Sequence, residues 1–335
     1  MMMINRLKIR RPLNLLTKLN FSLVALSLVL TSSCVRSQDA AVRHLEASGE
    51  VGRKSFKLEA EKTWQLNLPY GSRFDASGLL IYDGQLLTIN DRSSELWEIQ
   101  FTNNLTCSLR ATGWFTYTQI LHASGKSNPG HDCEAIAHDA NGNLYISEEK
   151  DRAIFRLDPK TKSVTKLAID WSPVRKYFSK LDDNASFEGL AIGNGKMYVA
   201  NERSDPRIIV VDLATLKVED NFAVDASGFA FGGPHYSDLS WYDDHLFVLD
   251  RNHRAVLEVN PKTKRVVAEY GFGEMELMPE LAYKTVYPTG TMEGLAVDAN
   301  YIWLVTDNNG KGRYKYPNDT RPTLFRCNRP QGSKP

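Results

Sequence analysis

The chain has only 4 cysteines in 335 residues, no basic tract after residue 33 and no apolar run of membrane-spanning length. Four cysteines are too few for a disulfide-stapled scaffold. The apolar stretch from Phe21 to Leu30 covers ten positions, about half of what a bilayer-spanning helix needs. Several catalytic signatures are also missing: a Gly-x-Ser-x-Gly elbow, a His-Glu-x-x-His zinc motif, a Walker loop and a glycine-rich dinucleotide turn after a strand. A serine hydrolase of the elbow type, a zinc protease of that motif and a nucleotide-dependent enzyme therefore lose their support.

What is there is ordinary for a globular chain: 42% hydrophobic and 24% charged residues, with ample length for a core. The net charge of +1 is unevenly spread. Residues 1–33 hold Arg6, Lys8, Arg10, Arg11 and Lys18 and no acid, so removing these five of 41 basic residues leaves 36 against 40 acidic ones. A body near −4 has no bulk attraction for nucleic acid, and no nucleic-acid partner is expected. The expected state is a monomer.

The first segment reads as an address. A basic stretch from Asn5 to Lys18 precedes the apolar run, and Thr31-Ser32-Ser33-Cys34 follows, the order of a secretory signal. The cysteine after two serines resembles a bacterial lipoprotein box, with Thr31 where that family usually carries leucine. The resemblance implies lipid on Cys34 and anchorage in the cell envelope, at the outer membrane or in the periplasm. Ordinary secretion with an incidental Cys34 is the alternative. The boundaries are a signal over 1–33, a tether over 34–50 and a body over 51–335. In an exported body Cys107, Cys133 and Cys327 can oxidise; a Cys107–Cys133 bridge leaves Cys327 free.

The body repeats. Ser77-Gly78-Leu79-Leu80, Glu134-Ala135-Ile136-Ala137, Glu188-Gly189-Leu190-Ala191, Asp238-Leu239-Ser240-Trp241 and Glu293-Gly294-Leu295-Ala296 recur at intervals of 57, 54, 50 and 55 residues. Each is followed by a turn, an apolar strand, an alternating strand and a further turn, twice in the near-identical form Asp158-Pro159-Lys160-Thr161-Lys162 and Asn260-Pro261-Lys262-Thr263-Lys264. Four short antiparallel strands at a period near fifty predict an all-β propeller. The fifth unit has about three strands of its own, and the segments Ser55 to Glu59 and Trp64 to Leu68 can supply its missing edge. Five blades are favoured over six. Asp170 to Leu181 and Glu274 to Tyr287 read as short helices or lids.

In a propeller the innermost strand opens each blade beside the central channel. Glu134, Glu188, Asp238 and Glu293 share that place, with Ser77 and nearby Asp75 in the first blade. A second set follows the second strand: Asn90-Asp91-Arg92, Glu148-Glu149-Lys150, Asn201-Glu202-Arg203, Asp250-Arg251-Asn252 and Thr306-Asp307-Asn308. One hairpin returns the chain to the face it left, so both sets belong at one channel mouth. Converging carboxylates need a cation, and calcium accepts six to eight oxygens in adaptable geometry. The candidate ligands are Glu134, Glu188, Asn201, Asp238, Asp250, Glu293 and Asp307. The competing assignment has these acids capping turns or bonding the amides of neighbouring blades. Arg92, Lys150, Arg203 and Arg251, with Lys311 in the fifth unit, suit a small anionic ester, although such bases can also pair with adjacent acids. His131 and His235 each precede a blade-start acid by three residues and are the candidate proton shuttles.

The run Asp132-Cys133-Glu134-Ala135-Ile136-Ala137, the strand Asn143-Leu144-Tyr145-Ile146-Ser147-Glu148-Glu149, and the starts Phe187-Glu188-Gly189-Leu190-Ala191 and Met292-Glu293-Gly294-Leu295-Ala296 resemble the phytase-like propeller domain with proposed esterase activity. The related SdiA-regulated exported propellers share much of this signature. The resemblance covers roughly residues 70–327. It implies hydrolysis of a phosphate or carboxylate ester. The acids lie only one or two per blade, sparser than in calcium phytases, which argues against phytate itself as substrate. Glu188, Asn201, Asp250 and Glu293 are also similar in composition to the metal set of calcium-dependent lactonase propellers. A non-catalytic binding scaffold at the cell surface or in the periplasm is the rival reading.

Overall fold

The computed structural model describes residues 52–330, apart from 72, 94, 128–131, 183–184 and 286–287. The signal, the tether with Cys34, and His131 lie outside the described residues. After β1 (Lys54–Lys57) and β2 (Ala60–Leu66), blade one is β3 (Ala76–Tyr82), β4 (Gln85–Asn90), β5 (Glu95–Phe101) and β6 (Thr106–Ala111). Blade two is β7 (Cys133–His138), β8 (Leu144–Glu148), β9 (Ala153–Asp158) and β10 (Ser163–Lys166). Blade three is β11 (Phe187–Gly193), β12 (Lys196–Asn201), β13 (Arg207–Asp212) and β14 (Val218–Phe222). Blade four is β15 (Tyr236–Tyr242), β16 (His245–Asp250), β17 (Ala255–Asn260) and β18 (Arg265–Gly271), and blade five opens with β19 (Met292–Val297), β20 (Tyr301–Thr306) and β21 (Thr323–Asn328).

The N-terminal β2 completes blade five by pairing antiparallel with β21, which ties the first strands of the body to the last. The inner strands β3, β7, β11, β15 and β19 neighbour one another in order, and β19 neighbours β3. The ring is closed at five blades. One expectation changes: the Ser55 segment does not enter the closing blade, because β1 adds in parallel to the outer edge of blade four, Lys54 opposite Ala268.

Local chemistry explains the strand spacing. The hairpins between first and second strands turn at Asp83-Gly84, Asn194-Gly195 and Asp243-Asp244, each pair with both φ angles positive, as a two-residue turn matched to strand twist requires. The outer turns are held by side chains: Asp158 Oδ1 accepts the amides of Lys160 at 2.9 Å and Thr161 at 3.3 Å. Asn260 Oδ1 does the same for Lys262 and Thr263.

The core is five separate clusters, one between each pair of adjacent blades. Each is built from the alternate residues of strands that face one another across the blades. Burial of one such Leu, Ile or Phe stabilises by roughly 1.5–3 kcal/mol. Cys107, Cys133 and Cys327 fall in three different clusters, so the Cys107–Cys133 bridge does not form. Burial pushes the thiols of Cys107 and Cys327 up to about 12.

Two short helices interrupt the strands, α1 (Tyr117–Ser124) and α2 (Gly273–Glu276). The Asp170 insert holds only a single 3-10 turn, Arg175–Tyr177. Among the described residues no helix is long and apolar enough to cross a membrane.

Candidate metal centre and anion site at the channel mouth

All five inner strands carry a register shift at the same point, just after Ala76, Cys133, Phe187, Tyr236 and Met292. A bulge leaves one residue out of the ladder and re-aims its side chain. The residues so placed are Ser77, Glu134, Glu188, Ser237 and Glu293. Preceding the paired residue stand Asp75, Asp132, Ser186, His235 and Thr291. Their carbonyls accept the amides of Asp91, Glu149, Glu202, Arg251 and Asp307 at 2.8–3.3 Å. The mouth is thus three tiers of five positions, equivalent by hydrogen bonding rather than by residue type.

This register corrects blade four. Ser237, not Asp238, is the counterpart of Glu188. Asp238 occupies the next position, which is Gly78, Ala135, Gly189 and Gly294 elsewhere. There the strands approach closely: a Cβ on Gly189 would lie 2.9 Å from the Asp238 carbonyl carbon, and one on Gly294 2.5 Å from the Ser77 carbonyl oxygen. Asp238 alone carries a polar side chain at this level. Its carboxylate accepts the amides of Leu79 at 3.2 Å, Leu295 at 2.7 Å and Leu239 at 2.8 Å, and that of Leu190 as well. Burial pushes its pKa up while the four amides pull it down. Asp238 is a fully buried hub joining inner strands at the axis, not a metal ligand.

Asn201, whose buried Oδ1 has no hydrogen-bond partner among the described residues, and Asp250 stand one step back from the mouth. Each ends its second strand inside the ladder, one residue before the position that reaches the mouth. Asn201 donates to the Asp205 carbonyl at 3.0 Å. Asp250 accepts the His235 amide at 3.2 Å and the His253 ring at 2.8 Å. Both hold loops.

Among the described residues the carboxylates that do converge form three groups whose oxygens lie within 4.8 Å of one another: Asp75, Asp91 and Asp307; Asp91, Asp132 and Glu134; Glu149, Glu188 and Glu202. Of the expected ligands, Glu134, Glu188 and Asp307 belong here, whereas Glu293 is paired with Arg251. Asp75, Asp91, Asp132, Glu149 and Glu202 were not among the candidate ligands. The signal for two of them, Asp75 and Asp132, lay in period-two alternation counted back from the bulge residues Ser77 and Glu134.

The electrostatics record the crowding. Burial, and then the charges of Asp75, Asp307 and Asp132, push Asp91 up to about 8. Burial, and then the Glu202 charge, push Glu149 to about 9. Burial and the neighbouring Asp75 push Asp307 to about 7. Glu134 and Glu188 are driven well above the usual carboxylate range, first by burial and then by acids around them. Buried oxygens of Asp91, Glu149 and Glu202 have no hydrogen-bond partner among the described residues. Oxygen-only donors with unsatisfied lone pairs fit a hard divalent cation.

The bases differ from one another. Arg73 grips Asp75 with Nε at 2.7 Å and its terminal nitrogen at 2.6 Å. Lys150 pairs with Asp132 at 3.0 Å, and Arg92 stands 3.8 Å from Asp75, more than half exposed. Arg203 and His235 both bond Glu202. Arg251 bonds Glu293 and lies 3.8 Å from Glu202. Burial pushes Glu202 up, but His235, Arg251 and Arg203 more than offset this and hold it below the usual range. Burial, and then Arg251, depress His235 to about 4. His235 thus stands buried against Glu202, with its neutral form favoured.

Comparison with known proteins agrees with this architecture. The crystal structure of glutaminyl cyclase from Myxococcus xanthus is similar over 82% of this chain and 97% of that one, with a TM-score of 0.55 at 12% identity. At that identity the likeness shows the fold alone. The PQQ-bound aldose sugar dehydrogenase from Streptomyces coelicolor covers 81% of this chain and 98% of its own, with a TM-score of 0.45 at 14% identity. No curated protein matches the chain. The model of the phytase-like family, described as esterase-like activity of phytase, matches residues 75–310, and the chain belongs to that family.

Proposed function

We propose that the channel mouth binds calcium and hydrolyses a small phosphate or carboxylate ester. The observation that carries this reading is the set of buried, unpartnered carboxylate oxygens on Asp91, Glu149 and Glu202, each within a converging acidic group. Asp91 belongs to two groups, so Asp75, Asp91, Asp132, Glu134 and Asp307 would hold the first cation, and Glu149, Glu188 and Glu202 a second. These carboxylates would hold a cation whose chemistry, once bound, would be to polarise an ester oxygen and acidify water.

The chain's own residues supply the rest. Arg251, four-fifths buried and paired with Glu293 on the side of blades four and five, orients the anionic end of the ester with Lys311, which has no ion-pair partner among the described residues. Both line one cavity of about 310 Å³ with Glu293 and Asp307. Glu188 is partly exposed to the channel, where burial and the acids around it raise its pKa, so it is the ligand of the second cation that an entering ester would meet. His235 fixes the Glu202 carboxylate.

The test is turnover of a phosphomonoester and carboxylester panel by the full chain, with calcium and then with chelator. Calcium-dependent hydrolysis that disappears in Glu188→Gln, with melting unchanged, is the expected result. Absence of hydrolysis on every ester would overturn the enzyme reading. One observation favours the alternative, a binding scaffold: Phe229 and Phe231, 92% and 53% exposed, stand on the loop leading into β15 at the mouth.

We also propose export with lipid on Cys34, on the strength of the leader sequence. Labelled palmitate should enter the wild type and not Cys34→Ser.

A further inference from the structure

We propose that the ester accepted at the mouth carries an apolar tail, seated in a pocket beside the anion seat. This rests on the hydrolase reading of the same mouth and names its substrate class: a medium-chain alkyl or acyl ester with an anionic head.

Two cavities adjoin. The one holding Arg251 and Lys311 and a second of about 350 Å³ share Thr285, Thr289 and Thr291 in their walls. The second is faced by Leu277, Ala282, Pro288 and Tyr314. Four of its polar side chains, Arg254, Glu276, Tyr283 and Thr291, are already hydrogen-bonded within the protein. Glu276 accepts Arg254 Nε at 2.7 Å, and its other oxygen accepts the Thr291 amide at 2.6 Å and hydroxyl at 2.8 Å. The Tyr283 hydroxyl donates to the Arg321 carbonyl at 2.6 Å.

What the wall away from the shared threonines offers a ligand is therefore chiefly the hydrocarbon of Leu277, Ala282, Pro288 and the Tyr314 ring. Leu277 and Tyr314 are about 60% exposed on it, with Met278 half exposed alongside, an arrangement that leaves apolar surface in water unless something covers it. A polyphosphorylated polyol has no group to place against such a wall. An ester with a hydrocarbon chain does, and its head then reaches Arg251 across the shared threonines. Each cavity is at the small end of the usual ligand-pocket range, so head and tail together fill what neither fills alone.

The experiment is calorimetric titration of the full chain, in calcium, with methylphosphonate and with octylphosphonate. Neither is an ester, so binding is read apart from turnover. Each buried methylene strengthens binding about three- to fourfold, and octylphosphonate should bind at least tenfold more tightly. Leu277→Glu, at an exposed position, and Ala282→Trp, which fills the pocket, should each bring the ratio of the two affinities towards one. Equal affinities in the wild type, no binding of either phosphonate, or an unchanged ratio in both variants would overturn the proposal. Octyl preference with no hydrolysis of any ester would keep the tail pocket and remove the hydrolase reading.

Discussion

The same five inner strands build both ends of the channel, and the two ends have opposite chemistry. Past Asp238, Leu79, Ile136, Leu190 and Leu239 line a cavity of about 250 Å³ with Ala137, Ala191 and Ala296. At the level of the leucines one blade there could stand for another, and beyond it the polar members are engaged: Ser240 accepts the Val297 amide at 3.1 Å, Asp298 the Trp303 indole at 3.0 Å, and the His138 ring lies 3.1 Å from the Asp139 carbonyl. At the mouth no two blades agree. Asp75, Ser77 and Asp91 face Asp132, Glu134 and Glu149, then Ser186, Glu188 and Glu202, then His235, Ser237 and Arg251, then Thr291, Glu293 and Asp307. Repetition serves the scaffold. A ligand without five-fold symmetry needs the repeat broken, and at the mouth it is broken in every tier.

Asp238 divides the two ends, and its loss should have the largest effect. Asp238→Ala removes the acceptor of four buried amides in four inner strands. Each orphaned amide costs about 1–3 kcal/mol, and water entering the gap recovers part of that, so we expect a loss of about 3–5 kcal/mol. Asp238→Asn keeps an acceptor and should lose less. Denaturant melts of both variants measure this. A neutral Asp238→Ala would mean that the hub is dispensable and the ends are not separated by it.

The blade-four register was the least legible part of the site, for a physical reason. Aligning acid with acid puts Asp238 beside Glu188, because both are carboxylates next to an apolar step. The ladder instead follows the apolar residues Leu79, Ile136, Leu190, Leu239 and Leu295, whose packing between blades sets the register. An alignment on those five would have returned Ser237 to the mouth and paired His235 with Asp132. The five blades and the closing strand near Trp64 were legible, since strand period and turn chemistry are local. The parallel docking of β1 on β18 was not, because an exposed sheet edge carries no sequence address. Nor was the choice of Glu202 over Asn201, which depends on where the strand ends.

Calcium should act at the mouth and not at the opposite end. The raised acids bind protons more tightly folded than unfolded. Their stabilisation is present below the ordinary carboxylate range and is lost as pH rises through about 7 for Asp307, 8 for Asp91 and 9 for Glu149. A cation replaces those protons. At a hundredfold excess over its Kd it contributes about 2.7 kcal/mol, so the calcium-induced rise in Tm should be larger at pH 8 than at pH 5. His235 has the opposite sign: depressed to about 4, it contributes stability above about 6.5 that is lost as pH falls towards 4. His235→Gln should flatten this acid limb and leave the calcium response at pH 8 in place. An equal Tm rise at both pH values would dissociate the metal from the mouth acids.

At the far end the expected effect is smaller and purely structural. A Cβ on Gly193 would meet the Trp241 ring at 2.0 Å, and that ring stacks on Tyr198 with centroids 5.3 Å apart. Gly193→Ala must displace it, at about 1–3 kcal/mol. Ester turnover measured well below the melting temperature should not change. A fall in kcat would mean that the two ends communicate.

The smallest effect is expected at Arg92, and it sharpens the comparison within the mouth itself. By sequence Arg92, Lys150, Arg203 and Arg251 form one basic ring. By position they do not: Arg92 follows the tier that contains Arg251, is more than half exposed, and reaches Asp75 only at 3.8 Å, a distance at which a solvated pair contributes little. Arg251 stands within the tier, and its Nε is buried without a hydrogen-bond partner among the described residues. Arg92→Ala should change stability by no more than about 0.5 kcal/mol and leave KM unaltered, while Arg251→Ala raises KM for every ester turned over. A rise in KM of similar size in both variants would restore the ring, and with it an anion seat spread around the whole mouth rather than confined to the side of blades four and five.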